Sequence, residues 1–236
     1  MTSPMLLRTT VAATCFAFGL GACTPADRPT EPADPGLLRV RDLAPGIVFE
    51  MRYAGANNFT GEKVPGYEAP DCLLTRPAAA ALAGVQSDLA NRGLGLIVWD
   101  CYRPQRAVDA FMRWADDPDQ RGRERWYPNV AKSALVKEGY IAERSGHSRG
   151  STADLGLVRP DSDGTPQPLD LGTPFDFFDP RAHTDAPGLS AEQQANRQVL
   201  VQAMQARGFV NYPKEWWHYT LRDEPWPETV FDVPVR

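Results

Sequence analysis

Two short segments far apart in the chain constrain its fold more than anything else in the sequence: Ser145-Gly146-His147-Ser148-Arg149-Gly150-Ser151-Thr152-Ala153-Asp154, and Glu215-Trp216-Trp217-His218. The whole chain holds 3 histidines, and two of them, His147 and His218, stand in these segments close to a carboxylate. His147 and Asp154 are an odd number of positions apart, so on one continuous strand they would face opposite ways. Convergence needs a bend, which the glycine-bearing segment between them permits. Glu215 and His218 have the same parity problem, so Glu215 is expected before the final strand or on a bulge. Neither pair has the helical His-Glu-x-x-His spacing, whose ligands fall one turn apart. A zincin fold is therefore disfavoured.

The residue types point to a metal. Catalytic zinc commonly takes three protein ligands of mixed histidine and carboxylate type and leaves a fourth position open. His147, Asp154 and His218 fit that count, for one Zn2+ per chain, with Glu215 beside them as proton acceptor. Such a centre supplies a nucleophilic water at neutral pH. Glu215 would take its proton and deliver it to the leaving group. Negative charge developing on the attacked carbonyl calls for a fixed cation. Read singly, each residue also has a plainer explanation. A histidine in a polar segment is more often a surface or hydrogen-bonded residue, Glu-x-x-His alone is weak, and Asp154 also suits a turn.

The N-terminus reads as a leader rather than as part of the fold. Arg8 flanks a short apolar segment, residues 11–20, too brief to span a bilayer. It ends in Leu20-Gly21-Ala22-Cys23, the order of small residues and cysteine in a bacterial lipobox. The expectation is a lipoprotein signal peptide over 1–22 with Cys23 lipidated; an ordinary secretory signal that contains a cysteine is the alternative. Residues 23–36, rich in Pro, Asp, Glu and Thr, read as a disordered tether, and 37–236 as one folded domain. The chain is thus expected in the cell envelope, anchored by lipid outside the cytoplasmic membrane and facing the periplasm if an outer membrane exists. In that oxidising setting Cys72 and Cys101 are a candidate disulfide, with two buried free thiols as the alternative.

A formal charge of −5 and the lack of a basic stripe argue against a nucleic-acid partner. A small polar molecule or a peptide is left as the ligand class, membrane contact is expected only through the anchor, and the oligomeric state is not legible. Residues 47–53 read as a strand, and Thr75 with Pro77 opens a helix buried through Leu82, Val85 and Leu89 that Gly93 stops. Residues 96–99 form a short apolar strand running into Asp100-Cys101-Tyr102-Arg103-Pro104, and a helix follows with Val108, Phe111 and Trp114 on one face. A loop through Asp154 leads into a strand over 155–158, and 161–168 is a turn or hairpin tip. Ser190 with Gln193 forms a capping box for a last helix that buries Val199, Leu200, Ala203 and Met204. Residues 216–221 are the final strand. Helices and strands mix without βαβ regularity, so the expected class is α+β with a mostly antiparallel central sheet flanked by helices.

With Asn58-Phe59-Thr60-Gly61, Phe175-Asp176-Phe177, Glu215-Trp216-Trp217-His218-Tyr219 and Arg222-Asp223-Glu224-Pro225 added, the pattern resembles the D-alanyl-D-alanine dipeptidases, the VanX family of zinc peptidases. The resemblance runs from about Val48 to the C-terminus. It implies that His147, Asp154 and His218 bind zinc, that Glu215 is the acid/base, and that Arg103 steadies the tetrahedral intermediate. Ser145 and Asp176 match positions lining the dipeptide pocket, whereas His183 matches no ligand position and reads as a surface residue. The implied fold is that of D-Ala-D-Ala metallopeptidases and the Hedgehog signalling domain, with a small closed pocket for free D-Ala-D-Ala. An enzyme tethered outside the membrane suits scavenging or cell-wall turnover better than depletion of a cytoplasmic precursor. Two alternatives stand beside this: a D,D- or L,D-carboxypeptidase trimming peptidoglycan stems, and a zinc-stabilised binding module without catalysis. Retention of Glu215 and Arg103 argues against the last, since neither is needed to hold metal.

Overall fold

Strand order follows from where the apolar runs fall. β4 (Gly95–Asp100) is buried along its whole length, as an uninterrupted apolar run requires of a central strand. It pairs on one side with β2 (Val48–Phe49), in parallel, and on the other with β5 (Thr152–Pro160), antiparallel. Towards its start β5 is joined antiparallel by β8 (His218–Leu221), and beyond that by β7 (Phe209–Asn211). Towards its end, where Arg159 and Pro160 become exposed, β5 turns back into β6 (Pro166–Pro168). The Asp161 carboxylate accepts from the backbone N–H of Asp163 and Thr165 and closes that hairpin. A separate two-stranded sheet joins β1 (Leu37–Arg39) to β3 (Leu73–Thr75).

The computed structural model describes Met1 and residues 35–236. The expected leader beyond Met1, Cys23 and the tether up to residue 34 lie outside the described residues. Described helices are α1 (Val40–Leu43), α2 (Arg76–Ala90), α3 (Gln105–Asp116), α4 (Arg123–Trp126) and α5 (Ala191–Ala206). α2 starts with Pro at its first turn and buries Leu82, Val85 and Leu89. α5 carries the reciprocal Ser190–Gln193 capping box, and packs on α2, β7 and β5. Its inward face includes the guanidinium of Arg197 beside Leu200, Ala203 and Met204, whereas Val199 is only half-buried. The fold is mixed α+β.

Three boundaries differ from the sequence expectation. The strand read over 47–53 stops at Phe49, and a 3-10 turn occupies Arg52–Ala54. There the Asn58 side chain donates to the carbonyls of Arg52, Gly55 and Glu62, offering the backbone a local alternative to a ladder. The strand read over 155–158 begins at Thr152, so Asp154 lies within it, because 152–154 pair with 218–220. The strand read from Trp216 begins at His218, since the Trp216 N–H is taken by the carbonyl of Ala182.

Candidate metal centre

Cross-strand register lines up three of the polar side chains. Asp154 in β5 is opposite Asp100 in β4 and also opposite His218 in β8. Directly opposed residues project from the same face of a sheet, so Asp100, Asp154 and His218 form a row across three strands. His147 reaches the row from outside the sheet. It sits on a 3-10 turn, Gly146–Arg149, opened by the Ser145 hydroxyl accepting from the His147 N–H and closed by Gly150. Gly150 has φ +81°, and a Cβ there would lie 2.8 Å from Leu37 and 3.2 Å from Thr75. Only glycine fits both conditions. The turn is the bend that the odd spacing of His147 and Asp154 demands.

Three ligand atoms converge. His147 Nε2 lies 3.2 Å from Asp154 Oδ2 and 3.3 Å from His218 Nδ1, and His218 Nδ1 lies 3.1 Å from Asp154 Oδ1. Donors about 2.0–2.1 Å from a tetrahedral cation stand about 3.3 Å apart, so the triangle has the edges such an ion needs. His147, Asp154 and His218 are the metal-capable group of three found among the described residues. Asp154 Oδ1 is buried and accepts no hydrogen bond of acceptable geometry despite its short approach to His218. A buried carboxylate oxygen with no donor aligned on it is costly unless a cation sits there. On the far side of His147, Nδ1 is 2.6 Å from the carbonyl of Cys101. A carbonyl can only accept, so Nδ1 is the nitrogen that donates, which leaves Nε2 as the one available to a metal.

Charge around the triangle is nearly all buried. Burial raises the pKa of Asp154, but His147 and then His218 outweigh it and hold the carboxyl well below its usual range. Burial likewise pushes Asp100 up against the pull of Arg103. Arg103 follows β4 and places Nη2 2.9 Å from Asp100 Oδ2 and 3.6 Å from Asp154 Oδ2. Its guanidinium lies over the rings of Phe111 and Tyr53, at 4.9 and 5.2 Å. Burial works against its charge, yet Asp100 foremost keeps it cationic. Glu215 precedes β8, as its parity requires, with its carboxylate 3.6 Å from His218 Nδ1. Burial first, then Asp154 and Asp176, raise its pKa well above the ordinary carboxylate value, opposed by Arg103.

Asp176 accepts from the Tyr53 hydroxyl at 3.0–3.1 Å on both oxygens. It is the only described non-glycine residue with positive φ, at 60°, a conformation that Asp tolerates better than most residues but that still marks a constrained position. Burial and Asp154 push its carboxyl up. Together Tyr53, Arg103, Tyr140, Ser145, Asp176 and Glu215 line a pocket of about 330 Å³ over the triangle, at the small end of the usual range for ligand sites, about 300–1,000 Å³.

The metal, catalytic and substrate residues expected from the sequence, His147, Asp154, His218, Glu215, Arg103, Ser145 and Asp176, line one pocket, and Cys72 and Cys101 form a disulfide beside it, whereas Cys23 lies outside the described residues. Reasoning from sequence missed the residues that hold the others. Asp100 was legible only as part of the Asp-Cys-Tyr-Arg-Pro segment, and Tyr67 donates to it at 2.7 Å. Asn211 donates to the carbonyls of Glu215 and His218, both at 3.0 Å, and so fixes the turn between them. No spacing signals that role. His183 is half-buried rather than on the surface, because its ring packs against Tyr140, with Nε2 3.2 Å from the hydroxyl.

A family model described as D-ala-D-ala dipeptidase matches residues 33–236. A D-alanyl-D-alanine dipeptidase of Enterococcus faecalis is 42% identical over 201 residues, covering 85% of this chain and 98% of the relative. One from Streptomyces coelicolor is 44% identical over 197 residues, covering 83% and 96%. One from Escherichia coli is 35% identical over 185 residues, covering 78% and 84%. Among solved structures, a variant of the vancomycin resistance D,D-pentapeptidase VanY in complex with Zn(II) aligns at TM-score 0.39 and 14% identity, covering 66% of this chain and 76% of that one.

Proposed function

The chain belongs to the D-Ala-D-Ala dipeptidase family, and on that premise we propose that it hydrolyses free D-Ala-D-Ala to D-alanine at a single zinc ion held by His147, Asp154 and His218. The observation that carries the metal assignment is the triangle itself, 3.1–3.3 Å on each edge with an unpartnered Asp154 oxygen turned inward. Zinc, when bound, supplies Lewis acidity and a water acidic enough to act as nucleophile near neutral pH.

The chain's own groups do the rest. Glu215 accepts the proton of the attacking water on its carboxylate and passes it to the departing amine, a role served by the burial that makes its carboxylate a stronger base than usual. Arg103, fixed by Asp100 and the two rings, faces the oxyanion that forms as the scissile carbonyl becomes tetrahedral. Asp176 with Tyr53 offers an acceptor pair to the substrate ammonium. Ser145 offers its hydroxyl proton to the substrate's other terminus, since its oxygen already accepts from His147. Four of the five pairings along the main path and its β6 branch are antiparallel, which supports a mostly antiparallel sheet of the Hedgehog and D-Ala-D-Ala metallopeptidase type.

Our reading places the enzyme outside the cytoplasmic membrane, anchored through Cys23, scavenging dipeptide or serving wall turnover. The Leu20-Gly21-Ala22-Cys23 order and the Cys72–Cys101 disulfide support this. No helix among the described residues is long and apolar enough to cross a membrane. Replacing Cys23 by serine is expected to release the protein from membranes, and a wild type that fractionates as soluble would overturn the anchoring.

The deciding assay compares zinc-loaded protein on free D-Ala-D-Ala and on a stem pentapeptide, before and after chelation. Hydrolysis of the dipeptide alone, lost on chelation, is the expected result. Preference for the pentapeptide would make the chain a carboxypeptidase. Zinc binding without turnover of either substrate would leave a binding module.

A further inference from the structure

The disulfide sits where it can act on the metal site. Cys72 and Cys101 are both buried, with 5.2 Å between their Cα atoms. Cys101 lies between Asp100 and the Tyr102-Arg103 pair, and its own carbonyl is the group that fixes the His147 ring at 2.6 Å. Cys72 leads into β3, which braces both segments that feed the centre. The Leu73 carbonyl accepts from the Tyr102 N–H at 2.9 Å, and the Thr75 N–H donates to the Gly150 carbonyl at 2.7 Å. Thr75 and Ser151 share a hydroxyl hydrogen bond of 2.7 Å. Across the site, the Arg103 N–H donates to the His147 carbonyl at 3.3 Å. β3 is only three residues long and its ladder partner is the equally short β1. The covalent link is therefore the stiffest element joining this strut to the carbonyl that orients His147.

We propose that the Cys72–Cys101 disulfide is a positioning element of the metal centre: by locking the Cys101 carbonyl against His147 Nδ1, it keeps the Nε2 lone pair turned to Asp154 and His218, and opening it weakens zinc binding. The inference rests on the zinc reading above, and extends it to residues that touch neither metal nor substrate. Partners behind a ligating histidine fix its tautomer and ring orientation, and their loss commonly costs about 10–100-fold in metal affinity. A disulfide also stabilises the whole fold by restricting the unfolded chain, so the test must separate the two effects.

The test compares the full-length wild type with the Cys72→Ser/Cys101→Ser double variant and with Leu200→Ala, which opens a cavity in α5 and lowers stability without touching the strut. Zinc affinity is measured by competition with a chromophoric chelator well below each unfolding temperature. The ring nitrogens of His147 are followed in the metal-free proteins by 15N NMR. The expected result is a single Nδ1–H tautomer in wild type and Leu200→Ala with matching affinities. In the serine pair, the tautomers mix and affinity falls about 10–100-fold. Unchanged affinity and tautomer in the serine pair, with only the unfolding temperature lowered, would overturn the proposal. Should the serine pair fail to fold, the wild type is treated with a phosphine until mass measurement shows two hydrogens gained; the phosphine takes the oxygen of a water molecule as phosphine oxide, and that water's two hydrogens go to the two thiols. Zinc release and tautomer mixing are expected, and their absence overturns the proposal. A wild type that binds no zinc would strike down the metal assignment and this inference with it, whereas a serine pair that keeps wild-type affinity strikes down the inference alone.

Discussion

Asp154 and His218 are directly opposed across the β5–β8 ladder, with His218 Nδ1 3.1 Å from Asp154 Oδ1. The register of two strands whose opposed residues stand 64 or more positions apart in sequence therefore decides whether a centre exists, because a slip by one residue would turn one of the pair to the other face.

Asp154→Asn tests that relationship with little change of shape. The amide leaves one oxygen to accept and removes the charge that His147 and His218 face. Zinc affinity should fall by more than about 10–100-fold, the loss typical of outer-lying partners, and the metal-free protein should lose stability near neutral pH, because the fold holds this carboxyl ionised below its usual range. Equilibrium dialysis reads the affinity, and near-normal binding would remove Asp154 from the ligand set.

Glu215→Gln keeps the turn held by Asn211, which bonds to backbone carbonyls rather than to the carboxylate. It should retain zinc in stoichiometric amount while kcat drops by about 10²–10⁴. Turnover within a factor of a few of wild type would rule out Glu215 as the proton carrier.

Arg103→Ala removes the cation held between Asp100 and the Tyr53 and Phe111 rings. On the proposed role, in which Arg103 meets charge that develops in the transition state, kcat should fall by about 10²–10³ while KM moves little. Arg103→Lys should recover only part of the rate, because an ammonium cannot reproduce the fork that Asp100 accepts at 2.9–3.0 Å. A rise in KM alone would make Arg103 a substrate-binding residue instead.

Asp176→Asn should act on binding. The carboxylate is buried at positive φ and accepts from Tyr53, and asparagine tolerates the same backbone. KM for D-Ala-D-Ala should rise, and an N-acetylated dipeptide, lacking the ammonium, should be processed equally poorly by wild type and variant. Unequal loss on the blocked substrate would show that Asp176 does not meet the amino terminus.

Arg197→Met tests how that loop is held. The Arg197 guanidinium donates to the carbonyls of Leu171, Arg181 and His183, on both sides of Asp176. Methionine fills the space but leaves these acceptors unpaired, at about 1–3 kcal/mol for each one that stays buried. A lowered denaturation midpoint together with a raised KM is expected. Loss of stability with KM unchanged would confine Arg197 to the core.

What was legible in the sequence is what local chemistry determines. The capping box at Ser190, the proline-led start of α2 and the apolar run of β4 are set by neighbours a few residues away, and they form where the pattern puts them. The parity of 147–154 and 215–218 likewise required His147 and Glu215 to stand outside a continuous strand, which follows from side-chain alternation alone. Tertiary structure decided the rest. That Asp100 flanks Asp154 and that the Cys101 carbonyl orients His147 depend on pairings between segments tens of residues apart, and Asn211 fixes the Glu215 turn only because β7 and β8 pair as they do. The same non-local pairing moved the edges of the strands, drawing Asp154 into β5 and releasing Trp216 from β8. Residue types and spacing name the groups able to hold a metal. Cross-strand register brings Asp154 and His218 to 3.1 Å of each other, and the 3-10 turn held against the Cys101 carbonyl brings His147 to 3.2–3.3 Å of both, distances that depend on how separate segments pack.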